Sequence, residues 1–129
     1  MNHEEAFVQA FIAPDKRSRY MSLLASRKRR HVFLDRLNHH LDYDPAFANR
    51  VPSEQQTPER IEALLRKRGA PDACHVISSN SDWDAQEMPL YDALELVVGY
   101  GIGTVLCCIP EHLAYYEAED VGDRFILSR

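Results

Sequence analysis

Residues 104–127 read TVLCCIPEHLAYYEAEDVGDRFIL, and this stretch decides the fold class. The segment TVLCCI at 104–109 has the apolar, β-branched character of a strand, and Pro110-Glu111-His112 is a turn signal. Residues 113–117 (LAYYE) return, Val121-Gly122 turns the chain again, and residues 124–127 (RFIL) close it. Three such strands joined by short turns predict an antiparallel meander. In the middle strand Leu113, Tyr115 and Glu117 share one side, and Ala114 and Tyr116 the other.

Working outward, Gly99, Gly101 and Gly103 separate the meander from a helix over residues 89–98, where Leu90, Ala93, Leu94, Val97 and Val98 recur at helical spacing. Residues 74–79 form a short apolar run suited to a buried strand, and residues 80–88 a polar loop that holds Trp83. The first half is helical. Residues 4–13 carry Phe7, Ala10 and Phe11 on one stripe, and Pro14 stops that segment. A second helix carries Tyr20, Leu23 and Leu24, and a third stretch over residues 26–41 carries Phe33, Leu37 and Leu41. Residues 42–56 are loop, with one helical turn at 45–49. Thr57 caps a fourth helix with Pro58 at its first position, Ile61, Leu64 and Leu65 on its apolar stripe, and Gly69 beyond its end. The order is α-α-α-α-β-α-β-β-β, which predicts an α+β domain with a helical half (1–70) packed on a small, mainly antiparallel sheet (71–129).

A length of 129 residues suits one domain, and the 45% hydrophobic and 27% charged composition is that of a soluble globular protein. No apolar run approaches the roughly 20 residues that cross a bilayer, so no membrane contact is expected. The acidic start Asn2-His3-Glu4-Glu5 is unlike a secretory signal, and three cysteines cannot all pair within one chain. The expected setting is a reducing cytoplasm.

Charge is unevenly distributed. Residues 1–70 hold 13 Lys/Arg against 9 Asp/Glu, whereas residues 71–129 hold 2 against 11. The block from Lys16 to Arg36 contains 8 of the cations and a single carboxylate, Asp35. Within it, Arg27-Lys28-Arg29-Arg30 would be unusual if Ser26 started a helix, because four cations would then crowd the positive end of its dipole. An anion placed there, such as a phosphate backbone, would relieve that cost. Placed mid-helix, or paired with the acidic half, the same run would be an ordinary solvated surface.

Other constellations are weaker. His40 and Asp44 stand four apart beside His39 and Asp42, but no second ligand pair accompanies them, and no metal is assigned. The segment Asn80-Ser81-Asp82-Trp83-Asp84-Ala85 begins like a calcium loop, yet Ala85 stands where glycine is needed and Tyr91 where glutamate is needed. The glycines 99, 101 and 103 follow a helix, whereas a dinucleotide fingerprint precedes one, so no cofactor is assigned. Cys107 and Cys108 are strand neighbours on opposite faces, and cannot act as a redox pair. Cys74-His75 has the same geometric difficulty as a dyad.

The leading expectation is therefore a non-enzymatic binding or regulatory domain. It would contact an anionic partner, nucleic acid or an acidic protein, through Arg27, Lys28, Arg29, Arg30 and Arg36. The competing expectation is a small enzyme with a cleft between helices and sheet, using His75 or His112 with Glu117 or Asp82. The last strand, residues 124–127, is expected at a sheet edge, where it could pair across a homodimer axis.

Overall fold

A computed structural model describes residues 2–129, and these form five α-helices, four short 3-10 turns and a six-stranded antiparallel sheet. The α+β reading and the meander are as expected. Strand β4 (Thr104–Ile109), β5 (Leu113–Glu117) and β6 (Arg124–Ser128) pair in sequence, with a register shift between Cys107 and Ile109. Strand β2 (Ala73–Ser78) joins β4 on the other side, and the helix between them, α5 (Leu90–Val97), supplies the connection.

Two further strands, β1 (Ala48–Arg50) and β3 (Glu87–Pro89), complete the order β1-β6-β5-β4-β2-β3. Neither is expected from the sequence, since three residues are too few to show an alternating pattern. The segment expected as one helical turn at 45–49 is a 3-10 turn, Pro45–Phe47, that runs directly into β1. This overturns the expected edge pairing of the last strand. β6 lies inside the sheet, with Ala48 opposite Leu127 on one side and Leu113 opposite Ser128 on the other. A second copy cannot add to it because β1 already occupies its free side. The true edges are short, and one ends in Pro89, which limits pairing with another chain.

Both faces of the sheet are covered. Helices α1 (His3–Phe11), α2 (Arg17–Ala25) and α3 (Arg30–Asn38) bury Phe7, Phe11, Tyr20, Leu23, Phe33 and Leu37 with Ile77, Val105, Cys107, Tyr116 and Leu127. Helices α4 (Pro58–Lys67) and α5 bury Ile61, Leu65, Leu90, Leu94 and Val97 with Val76, Leu106, Cys108, Tyr115 and Ile126 on the opposite face. The period-2 alternation of each strand therefore feeds two cores, which is why β4 and β5 read as nearly continuous apolar runs.

Helix α3 crosses the end of the sheet, where its last turn is fastened by several bonds. Asn38 accepts hydrogen bonds from the Gly103 amide (2.7 Å) and the Ser79 hydroxyl (2.9 Å), and its carbonyl accepts from the Glu119 amide (2.8 Å). Gly103 is a glycine because of this approach: a Cβ there would collide with the backbone of Leu37 and Asn38. We expect Gly103→Ala to lower stability by about 3 kcal/mol, read as a reduced urea midpoint at unchanged slope.

Candidate functional site

Helix α2 ends at Ala25, Ser26 is extended (φ −112°, ψ 116°), and a 3-10 turn, Arg27–Arg29, leads into α3. The question left open by the sequence is thereby answered: Ser26 does begin a new helical segment. No side chain caps it, and no acidic residue occupies its first turn. Arg27, Lys28 and Arg29 are exposed at the end where the helix dipole is positive.

The four cations of the run do two different things. Arg30 turns inward and forms paired hydrogen bonds to two carboxylates. It donates through Nη1 and Nη2 to Glu4 at 2.6 and 2.9 Å, and through Nε and Nη2 to Asp84 at 2.9 and 3.0 Å. Asp84 in turn accepts from the Ser78 amide at 3.0 Å, and Glu4 lies 2.9 Å from His75 Nε2. The His3 ring stacks on His75 with centroids 5.5 Å apart. Burial pushes the Glu4 carboxyl up, but the hydrogen bonds and charges of His75 and Arg30 outweigh it and hold the group down at about 2. Arg30 is thus a structural clamp across α1, α3, β2 and the loop after β2.

Arg27, Lys28 and Arg29 behave otherwise. Among the described residues, none has a carboxylate within 4.0 Å; the one side-chain bond in this set runs from Arg29 Nη1 to Ser22 Oγ at 3.4 Å. Arg19 lies one turn before Ser22 on the same exposed face of α2, so Arg29 and Arg19 flank one stripe. The acidic half does not claim these cations, because Glu117 pairs with Arg124 (3.2 Å) and Asp123 with Arg50 (3.2 Å). Arg36 is half-buried near Asp42 at 4.0 Å, apart from the ridge.

The residues of the enzyme reading are not brought together. His75 precedes Val76, whose side chain is in the α4/α5 core, so by alternation His75 faces the α1–α3 side, where it meets Glu4. Glu117 faces the other side, buried with the Tyr115 hydroxyl at 2.7 Å and the Gly99 amide at 3.1 Å from its oxygens. His112 sits before the start of β5 and Glu117 at its end, about 16 Å apart along an extended strand. Asp82 is exposed, and its neighbour Asp84 reaches inward instead. The His40/Asp44 helical spacing does not exist either, since α3 ends at Asn38. No group of three or more His, Cys, Asp or Glu among the described residues is arranged to hold a metal ion. All three thiols are buried, and burial pushes Cys74 and Cys108 up to about 12, far from a reactive thiolate.

The clamp has no signature in the sequence, because its members are separated by 26, 54 and 71 positions. The buried Glu117 did have one: it continues the Leu113, Tyr115 face and stands directly opposite Arg124 in register. No helix among the described residues is long and apolar enough to cross a membrane. No protein-family model, curated protein or solved structure matches the chain.

The clamp makes stability depend on pH with a definite sign. The folded Glu4 carboxyl titrates at about 2 rather than 4.5, so its contribution is complete above pH 4.5 and is lost as pH falls toward 2. We expect a loss on the order of 3 kcal/mol across that window, measured by urea unfolding. Glu4→Gln should flatten this part of the profile.

Proposed function

We propose that the protein is a binding module that engages the phosphate backbone of a nucleic acid through Arg27, Lys28 and Arg29, with Arg19 alongside. The observation that carries this reading is the exposure of three consecutive cations, without carboxylate partners, at an uncapped helix start. Helix dipole and side-chain charge there act in the same direction, and a bound phosphate would relieve both. Arg30, although part of the same run, contributes by fixing where the helix begins.

The ridge favours a polyanion over an acidic protein. Stable protein interfaces need a buried apolar or aromatic centre. Ser18, Arg19, Ser22, Arg27, Lys28 and Arg29 are all exposed, and the stripe they form contains no large apolar side chain. Absence of aromatic residues from it also argues for contact with phosphates rather than stacked bases. Because the whole chain carries a net charge of −5, attraction must come from this local patch. Its field reaches only about 10 Å at 0.1 M salt.

Fluorescence anisotropy with labelled RNA and DNA, across a series of salt concentrations, tests the reading. Binding at low salt should weaken linearly in log salt. Reversal of Arg27, Lys28 and Arg29 to Glu should abolish it with the unfolding midpoint nearly unchanged, and neutralising any one of them should reduce the slope by about 1. Failure of both nucleic acids to bind at low salt would overturn the proposal.

A further inference from the structure

A second site lies at the opposite end of α3, and it has the reverse electrostatic character. Where α3 stops, the β5–β6 turn and residues 39–43 enclose a cavity of about 290 Å³. Its floor is aromatic. Tyr116 and Phe125 face each other across β5 and β6 with ring centroids 6.2 Å apart, and Tyr43 lies 5.1 Å from Phe125. Tyr116 and Phe125 are buried, whereas Tyr43 is half-exposed at the opening. His39, His40, Asp120 and Asp123 also line it. A buried aromatic floor beside carboxylates is a recognition site for a cation with an apolar body, because ring faces and carboxylates attract positive charge together.

The cluster already holds one cation in this manner. The Arg50 guanidinium lies 4.8 Å from the centroid of Phe125, and its Nη1 is 3.2 Å from Asp123. That contact leaves the cavity itself with Tyr43, Tyr116 and Asp120. Asp120 is exposed and has no ion-pair partner among the described residues. The other titratable groups nearby are Glu119, 3.9 Å from His39, the two histidines, and Asp42 of the same segment, which lies 4.0 Å from Arg36. The volume is at the small end of ligand cavities and suits a compact ion.

We propose that this cavity binds a small alkylammonium ion, with the half-exposed ring of Tyr43, above the Tyr116 floor, against its alkyl groups and Asp120 against its charge. The site is independent of the basic ridge, and either proposal can fail without the other.

Tetramethylammonium chloride is the probe, titrated into the full chain and followed by amide NMR. Sodium chloride serves as the ionic-strength control and tert-butanol as a neutral molecule of similar shape. The expected result is saturable shifts confined to residues around Leu41, Tyr43 and Ala118. Asp120→Asn and Tyr43→Ala should each weaken binding by about tenfold, and Tyr43→Phe should retain it. Asp120→Asn lies in an exposed turn and leaves the core intact, so the test survives if Tyr43→Ala does not fold. Shifts no larger than those of sodium chloride would overturn the proposal. So would equal binding of tert-butanol, or unchanged affinity in Asp120→Asn.

Discussion

The bidentate grip of Arg30 on Glu4 and Asp84 is the interaction on which the rest of the arrangement depends. It joins the first turn of α1, the first residue of α3 and the loop after β2, which are otherwise connected through long stretches of chain. The side chains of Arg30 and Glu4 are only 23% and 14% exposed, so the charges are largely removed from water and must stay paired. Removing one member would leave the others uncompensated, a loss that typically costs about 3–5 kcal/mol. The grip also orients its neighbours. With Arg30 held inward at the helix start, the three residues before it are directed away from the core, and a run that reads as uniform in sequence is divided into one half-buried cation and three exposed ones.

A second buried ion pair does comparable work on the other face of the sheet. Glu117 is fully buried, and its carboxylate accepts from the Tyr115 hydroxyl and from the amides of Gly99 and Gly101. Both glycines have positive φ, 82° and 80°, so the chain can turn its N–H groups onto the carboxylate directly after α5. Arg124 completes the balance from the neighbouring strand at 3.2 Å. Each face of the sheet therefore has an apolar core and one ionic fastening. The fastenings reach loops and helix ends, where backbone groups lack ladder partners, and the Glu117–Arg124 pair also joins β5 to β6.

How much of this the sequence shows depends on whether the determinant is local. The meander was legible because apolar runs, proline and glycine punctuate residues 104–127 within a few positions of one another. Helix α4 was legible for the same reason: Thr57 caps it and Gly69, at φ 95°, follows it. Strands β1 and β3 were not, because each is defined by its partner rather than by its own pattern. Glu4, His75 and Asp84 could not be associated with Arg30 from any spacing rule, since the fold alone brings them together. The basic run was visible as composition, but its division into a clamp and a ridge depends on a helix boundary at Ser26 and on neighbours distant in sequence.

The central claim is that adjacent arginines at one helix start have separate roles, Arg30 in holding the fold and Arg29 in meeting the partner. Urea unfolding and nucleic-acid affinity measured in parallel on Arg29→Met and Arg30→Met test it most directly. Arg29→Met should leave the unfolding midpoint nearly unchanged and weaken binding. Arg30→Met should lower stability by several kcal/mol, as expected when a largely desolvated charge pair loses one partner. Equal effects of the two substitutions on stability, or loss of affinity from neither, would contradict it.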